Sequence, residues 1–212
     1  MKNILVIGAA GQIGSELVPA LRKLGFMTVA GFSRTPLTPE LAAGGPSERI
    51  DILDGTGLVD VIRRHRIDTV FNLAAMLSAK AEAQPLSAWN VGVNGLLNVL
   101  EAARIEHCAV FTPSSIGVFG DSTPHAKTPQ DTVCRPKTVY GITKVTGELL
   151  SDYYFLKYGV DTRSVRYPGL ISSVTPPGGG TTDYAVDIFY SAVRGETYVC
   201  PIAAGTFMPM MY

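Results

Sequence analysis

Residues 1–24, MKNILVIGAAGQIGSELVPALRKL, decide the fold of this chain. The apolar run Ile4–Ile7 ends at Gly8, and apolar residues at helical spacing follow over Ile13–Leu24. A short apolar run bounded by glycine predicts a buried strand, whereas apolar residues three and four positions apart predict an amphipathic helix. The chain therefore begins with a strand, a tight turn and a helix.

The same alternation of strand and helix continues along the chain. We predict five more strands, at Thr28–Phe32, around Arg49–Ile52, and at Thr69–Leu73, Ala109–Thr112 and Thr162–Arg166. We predict three more helices, at Leu58–Arg64, Ala88–Arg104 and Tyr140–Tyr158, and a loop rich in Pro, Gly and Ser at Ser33–Ser47. Apolar strands separated by helices indicate a parallel sheet that is covered on both faces. The predicted fold class is α/β, with a doubly wound parallel sheet.

The amino-acid composition limits which class of protein this can be and which partners we expect it to bind. Of 212 residues, 46% are hydrophobic and 17% are charged, as in a well-packed globular protein, and the formal net charge is zero. We therefore expect no nucleic-acid partner and no membrane partner. Because a strand is predicted at the N-terminus, we expect no secretory signal. Cys108, Cys134 and Cys200 form no CxxC pair, so we expect free thiols, no metal site and a cytoplasmic location.

The first turn carries a glycine triplet. Gly8, Gly11 and Gly14 give GxxGxxG at the junction of the first strand and the first helix. Glycines there permit a tight turn and let backbone N–H groups approach a pyrophosphate, to which the helix N-terminus adds a partial positive charge. A tight turn with no ligand would look similar, but the position at the first strand–helix junction favours dinucleotide binding.

Tyr140 and Lys144 form a YxxxK motif on a predicted helix. Residues four apart lie on one face of a helix, so the phenol and the ammonium can reach the same site. A free phenol has a pKa of about 10, and a nearby positive charge favours the phenolate that can take a proton from an alcohol. An ordinary surface Tyr and Lys one turn apart would show the same spacing. Ser114 and Ser115, at the carboxyl end of a predicted strand where open α/β sheets bind ligands, make the catalytic interpretation stronger.

The glycine spacing, the paired serines and YxxxK, in this order, resemble the extended short-chain dehydrogenase/reductase family. The resemblance implies a Rossmann fold and catalytic roles for Ser115, Tyr140 and Lys144. In this family Ser115 would hydrogen-bond the substrate oxygen, Tyr140 would take its proton, and Lys144 would hold the nicotinamide ribose.

The resemblance also implies a cofactor site, with one departure from the family pattern. Phe32 stands where the family usually has an acidic residue that binds the adenosine ribose, so discrimination against a 2′-phosphate weakens, and Ser33 with Arg34 could accept one. Arg34 as a solvated loop residue is the alternative. NAD is favoured and NADP is left open. The expected cofactor contacts are Gly8, Gly11, Gln12, Ile13, Gly14, Ser33, Arg34, Asp51, Ile52, Leu73, Ala74, Ala75, Tyr140, Lys144 and Tyr167.

Segments 73–82, 113–120, 167–190 and 208–212 resemble the threonine dehydrogenase branch of the family, above all Gly178–Ala185, GGGTTDYA. This resemblance implies L-threonine as substrate and 2-amino-3-oxobutyrate as product, with hydride leaving the β-carbon. Backbone N–H groups and threonine hydroxyls could receive the amino-acid carboxylate, although a loop leading into a capped helix is the alternative. The expected substrate contacts are Ser78, Ser114, Ser115, Tyr140, Thr181 and Thr182. Asn94 resembles a structural Asn of the family, or is an ordinary helix-surface residue.

The resemblance sets the expected organisation and the alternatives. Residues 1–166 would form the dinucleotide-binding domain with the catalytic group, and residues 167–212 would begin a small substrate-binding region that continues past Tyr212 in the branch. A homodimer and a monomer are both left open. The alternative functions are a nucleotide-sugar epimerase or dehydratase of the same family, and a non-catalytic dinucleotide sensor.

Overall fold

A computed structural model describes residues 2–124, 126–172, 176, 178, 180 and 182–212. At its centre is a sheet of six parallel strands: β1 (Asn3–Ile7), β2 (Met27–Phe32), β3 (Ser47–Arg49), β4 (Thr69–Asn72), β5 (Ala109–Phe111) and β7 (Thr162–Arg163). They lie in the order β3-β2-β1-β4-β5-β7. The order reverses between β1 and β4, which makes the carboxyl edge there the expected place for a dinucleotide in a Rossmann fold. The predicted doubly wound parallel sheet is confirmed.

Eight helices are described in these ranges: α1 (Gln12–Lys23), α2 (Pro39–Ala43), α3 (Gly55–Arg64), α4 (Ser78–Ala83), α5 (Pro85–Trp89), α6 (Gly95–Glu106), α7 (Val139–Tyr158) and α8 (Tyr184–Arg194). A π-helical turn, Asn90–Asn94, joins α5 to α6, and a 3-10 turn, Ile116–Val118, precedes α7. No helix in the described part of the chain is long and apolar enough to cross a membrane.

The strand β1 shows why the sheet is covered on both faces. Leu5 and Ile7 belong to a buried cluster with α3 and α6, whereas Ile4 and Val6 belong to a second cluster with α1 and α2. Successive residues of a strand point to opposite faces, so a strand buried on both sides must be apolar throughout. This is the pattern that the sequence shows.

Two short parallel sheets lie beyond the central one. In the first, β6 (Ser114–Ser115) pairs with β8 (Arg166–Tyr167). In the second, β9 (Gly169–Leu170) pairs with β10 (Met210–Met211). The single strand predicted at Thr162–Arg166 is therefore wrong in extent, because the chain leaves the central sheet after Arg163 and pairs with β6 instead.

Other element boundaries also differ from the prediction. The loop Ser33–Ser47 contains α2, which begins after Thr38, whose hydroxyl accepts the N–H of Leu41. The strand expected around Arg49–Ile52 is β3, which ends at Arg49. Ile50 and Ile52 are buried beyond the end of the strand, although the Ile50 N–H still donates to the Phe32 carbonyl of β2 at 2.7 Å.

The helix predicted at Ala88–Arg104 begins earlier and contains the π turn. Gly92 in this turn faces Thr143 of α7, since a Cβ placed on Gly92 would lie 3.1 Å from the Thr143 Cβ. A locally wide turn fits the place where α7 packs closely. The helix α4 was not predicted, because Ser78–Ala83 is short and rich in alanine and so lacks an apolar stripe.

Candidate active site

The glycine turn closes between β1 and α1 at the carboxyl edge of the sheet. Gly8 has a φ of +85°, a backbone conformation that residues other than glycine rarely adopt. Its N–H donates to the Gly31 carbonyl of β2 at 3.0 Å. The Gly11 N–H donates to the Gly8 carbonyl at 3.0 Å. Gly11 is the N-cap of α1, and neither a side-chain cap nor an acidic residue is present in the first turn. The positive end of α1, with Gln12 and Ile13, is therefore left for a ligand.

Gly14 and Gly8 are required by close backbone contacts. A Cβ placed on Gly14 would lie 2.4 Å from the Gly8 carbonyl oxygen and 2.6 Å from the Ala9 Cα. A Cβ on Gly8 would lie 3.0 Å from the carbonyl carbon of Leu73 and 3.1 Å from the Ala74 nitrogen. The turn and the segment after β4 thus approach each other closely, and any side chain would push them apart.

The remaining residues expected at the adenosine end lie at neighbouring strand ends. Ser33 and Arg34 follow β2 and are exposed. The Asp51 carboxylate accepts the Leu53 N–H at 3.0 Å, and Ile52 is buried, with its carbonyl accepting from the Asn98 amide at 3.1 Å. Asp51 therefore stabilises a local turn through its Oδ1, while its side chain stays exposed.

The Tyr140 ring stands beside the chain that follows β5. A Cβ placed on Gly117 would lie 3.2 Å from two ring carbons of Tyr140, and a Cβ on Gly141 would lie 2.2 Å from the Gly117 carbonyl oxygen. The Ser115 hydroxyl accepts the Gly117 N–H at 3.1 Å, and the same Cβ on Gly117 would lie 3.4 Å from the Ser115 oxygen. The two glycines thus allow α7 to come close enough for Ser115 and Tyr140 to meet.

Lys144 lies one turn after Tyr140, with its Nζ 5.7 Å from the centre of the Tyr140 ring. The ammonium donates to the Pro113 carbonyl at 2.7 Å. The structure therefore brings Ser115, Tyr140 and Lys144 together, as YxxxK and the serine position predict.

The pKa values of Tyr140 and Lys144 differ from the expectation that a nearby ammonium favours the phenolate. Burial raises the pKa of Tyr140, and the hydrogen bond with Ser115 acts in the opposite direction. Burial lowers the pKa of Lys144 to about 8. Removal from water disfavours the charged form of each group, so Lys144 does not by itself produce a phenolate in this structure.

A cavity of about 30 Å³, which has room for about one or two water molecules, is lined in part by Tyr140 and Lys144. Asn72, Thr112, Lys144 and Glu148 are among its lining residues, as are Ala74 and Ala75. Within the described residues, Asn72 Oδ1 and Thr112 Oγ1 are buried without a hydrogen-bond partner. Buried polar atoms are normally paired, so both atoms face a place that water or a ligand would fill.

Ser114 has a partner of its own. It is 5% exposed, and its hydroxyl donates to Glu148 Oε1 at 2.5 Å. The carboxylate also accepts twice from Arg166. Of the two serines, Ser115 is thus the one that meets Tyr140.

The residues expected to bind substrate lie at the start of α4 and against β9. Ser78 begins α4, which packs against α7, and the Glu82 carboxylate of α4 accepts the Val139 N–H at 2.8 Å. A Cβ on Gly169, two residues after Tyr167, would lie 2.3 Å from the Thr182 Cγ2. Thr182 therefore sits directly on the backbone of β9. Thr181 lies outside the described residues.

Asn94 is exposed, and its amide donates to the Asn90 side chain at 2.9 Å. The alternative of an ordinary helix-surface residue is the one that the structure supports. Asn98, one turn later, is the asparagine that ties α6 to the loop after β3.

With this geometry described, the chain can be compared with known proteins. The model of the NAD dependent epimerase/dehydratase family matches residues 4–196.

The chain belongs to this family.

An uncharacterized epimerase/dehydratase of Staphylococcus aureus is 50% identical over the whole chain, which spans 67% of that protein. The structure of an L-threonine dehydrogenase from Clostridium difficile is 52% identical with a TM-score of 0.95, and the match covers 100% of this chain and 67% of that one. A UDP-glucose 4-epimerase from Brucella ovis in complex with NAD is 25% identical with a TM-score of 0.74, over 80% of this chain and 53% of that one.

NAD is the cofactor of this epimerase/dehydratase family member, and the residues present fit it. The fit rests on the cradle at Gly8 and Gly14, which a single added carbon would fill, and on the uncapped first turn of α1. No group of three or more His, Cys, Asp or Glu that could hold a metal ion occurs in the described part of the chain.

Four polar residues of the site were not predicted: Asn72, Thr112, Glu148 and Arg166. A sequence signal existed for only one of them. Glu148 continues the spacing of Tyr140 and Lys144 by another four residues, so all three side chains share one face of α7. The others depend on how strand ends meet in space, which spacing along the chain does not reveal.

Proposed function

We propose that this chain oxidises the β-hydroxyl of L-threonine with NAD and so forms 2-amino-3-oxobutyrate. The observation that carries the proposal is a contrast between two structural likenesses. The L-threonine dehydrogenase matches the entire chain at 52% identity, whereas the UDP-glucose 4-epimerase matches 80% of it at 25% identity. The likeness to the dehydrogenase thus includes the segment after Tyr167, where substrate specificity is expected.

Tyr140 is the proposed base. The ring lies where the Ser115 hydroxyl can hold both the phenol and an incoming substrate oxygen. Ser115 orients the threonine hydroxyl, and the Tyr140 oxygen takes its proton as the carbon–oxygen bond becomes a carbonyl. Because burial raises the pKa of Tyr140, the phenol needs a neighbouring positive charge to ionise at neutral pH.

Lys144 is the proposed source of that charge within the chain. With a pKa of about 8 it is mainly protonated at pH 7, and it is held by the Pro113 carbonyl one residue before β6. When bound, NAD supplies the hydride acceptor. The chain's own contribution is alignment, exclusion of water and control of one proton.

The amino-acid end of the substrate is proposed to lie near Ser78 and Thr182. Support comes from the contact between Thr182 and Gly169 and from Leu77, whose Cδ1 would lie 3.4 Å from a Cβ on Gly178. The second contact joins two of the segments that resemble the threonine dehydrogenase branch, 73–82 and 167–190. Thr181 and Ser114 stay predictions as substrate contacts.

The decisive experiment is an assay of NAD reduction with L-threonine beside UDP-glucose and UDP-galactose. We expect reduction of NAD with L-threonine alone, and no conversion of either sugar nucleotide. Epimerisation of a sugar nucleotide would replace the proposal with the first alternative. Binding of NAD without turnover of any of the three would support the sensor.

The expected domain division, oligomeric state and cellular location stay proposals. The boundary between residues 166 and 167 falls within β8, and the division into two domains there is still a hypothesis. A homodimer is favoured over a monomer because α7 exposes large apolar side chains, and three of them, Leu149, Tyr153 and Leu156, share one face of the helix. The cytoplasmic location rests on free thiols, and Cys108, Cys134 and Cys200 are free in the structure.

A further inference from the structure

The carboxylate of Glu148 joins three elements of the active site. It belongs to α7, one turn after Lys144. Its Oε1 accepts from the Ser114 hydroxyl of β6 at 2.5 Å and from Arg166 Nε of β8 at 2.8 Å, and its Oε2 accepts from Arg166 Nη2 at 2.7 Å. A planar guanidinium binding both oxygens fixes the carboxylate in distance and in angle.

The same three elements carry the proposed catalytic and cofactor groups. In the parallel pair of β6 and β8, Ser114 lies opposite Arg166, and Ser115 lies opposite Tyr167. Successive residues of a strand point to opposite sides, so contacts at Ser114 and Arg166 fix both strands without occupying Ser115 or Tyr167. Ser114 also follows Pro113, whose carbonyl holds the Lys144 ammonium.

The ion pair is largely removed from solvent. The side chains of Arg166 and Glu148 are 23% and 19% exposed, and the Arg166 guanidinium lies 5.5 Å from the centre of the Phe119 ring. Burial alone would raise the pKa of Glu148, but hydrogen bonds from Arg166 and Ser114 lower it below its usual value. Loss of one partner would leave a charge poorly solvated, so the arrangement resists distortion far more than a surface ion pair does.

We propose that Glu148 is a positioning residue that sets Ser115 and Tyr167 against Tyr140 and Lys144. This inference rests on the proposed function and adds a residue to its machinery. Glu148 touches neither substrate nor cofactor in this proposal. It acts through Ser114 and Arg166, and the distance between Ser115 and the phenol is what it controls.

The test variant is Glu148→Gln, which keeps the shape and removes the charge. We expect kcat with L-threonine to fall by at least about tenfold, because small displacements of reacting groups are costly, while the Kd for NAD changes less than about threefold. The pKa of Tyr140 should rise, since the hydrogen bond from Ser115 that lowers it is weakened. NMR of ring-labelled tyrosine, assigned by comparison with Tyr140→Phe, measures that pKa.

Glu101→Gln is the matched control. Glu101 of α6 also accepts from one guanidinium and one hydroxyl, from Arg104 at 2.8 Å and from Tyr154 at 2.6 Å. Tyr154 lies about 20 Å along α7 from Tyr140. The control should lower stability while leaving both kcat and the pKa of Tyr140 as in wild type. If Glu148→Gln does not fold, Arg166→Lys keeps the positive charge but loses the fork, and should shift both readouts in the same direction.

Wild-type values of kcat and of the Tyr140 pKa in Glu148→Gln would overturn the inference. Equal losses in Glu101→Gln would overturn it too, because the effect would then be general destabilisation. The Tyr140 titration needs no substrate. An inactive wild type with L-threonine would therefore refute the proposed function, while the titration would still decide the role of Glu148.

Discussion

The glycine turn and the Tyr140 group lie at the same edge of one sheet but are built in opposite ways. The turn is shaped by missing side chains, since a Cβ on Gly14 would lie 2.4 Å from the Gly8 carbonyl oxygen. The Tyr140 group consists of side chains held by partners, with Ser115 on the phenol and Pro113 on Lys144. The glycine turn should therefore lose its function when an atom is added. The Tyr140 group should lose its function when an atom or a charge is removed.

The largest expected effect comes from removing one oxygen. Tyr140→Phe should lower kcat with L-threonine by about 10²- to 10⁴-fold, because the proton acceptor is lost. The ring and its contacts with Gly117 stay, so the Kd for NAD should change little. Steady-state kinetics and a cofactor titration on the same variant measure both. Turnover at the wild-type rate would show that another group is the base.

The next effect concerns the charge of Lys144. Its pKa in the folded protein is about 8, below the usual 10.5, so between these values the unfolded chain binds a proton that the folded chain does not. The free energy of unfolding of wild type, relative to Lys144→Met, should therefore rise by up to about 3 kcal/mol as the pH rises from 8 to 10.5. Denaturant titrations across this range measure it. Lys23→Met, at an exposed lysine, is the control, and a pH-independent difference for Lys144→Met would contradict the prediction.

Adding one carbon to the glycine turn should have an intermediate effect. Helix propensity alone would make Gly14→Ala stabilising by about 1 kcal/mol, but the close backbone contacts should instead give a loss of about 1–3 kcal/mol. The Kd for NAD should rise at least about tenfold, because the cradle is displaced. Gly55→Ala, whose Cβ would meet Asn98 at an ordinary 3.5 Å, is the matched control. Isothermal titration and thermal unfolding would decide, and wild-type values in Gly14→Ala would break the contrast between the two regions.

The smallest effect is expected at the end of β2. Phe32→Asp should increase the preference for NAD over NADP by about tenfold, since a carboxylate there can accept from the ribose hydroxyls and repel a 2′-phosphate. Thr35→Asp adds the same charge at an exposed position and should change the preference less. The ratio of kcat/KM for the two cofactors is the measurement. Strong rejection of NADP by wild type would mean that another group reads the ribose.

The sequence predicts those parts of both regions that are local in the chain. The glycine turn is local, so Gly8, Gly11 and Gly14 reveal it through spacing alone, and the apolar strands reveal the sheet. YxxxK is local as well, because a helix puts Tyr140 and Lys144 on one face. These local signals, taken in order, predict the family and NAD, and the match to the family model confirms both.

What the sequence did not predict depends on contacts between distant segments. Asn72 and Arg166 look like ordinary polar residues until β4, β6, β8 and α7 meet. The apolar pair Ile50 and Ile52 suggested a strand, but β3 ends at Arg49, although the Ile50 N–H still donates to the Phe32 carbonyl of β2 at 2.7 Å. Asn94 followed a family pattern and lies on the surface, whereas Asn98 holds the neighbouring loop. Which polar residue turns inward is decided by packing, and spacing along the chain does not contain that information.

The strand order also implies an order in time. A chain is synthesised from its N-terminus, so β1 is made first, yet it lies in the middle of the sheet between β2 and β4. It gains β2 early, but its other edge stays unpaired until Asn72 has left the ribosome. An open edge on an apolar strand is a template for pairing with another chain. A strand that is paired on both edges in the finished sheet therefore has one edge open to a wrong partner while the protein is being made.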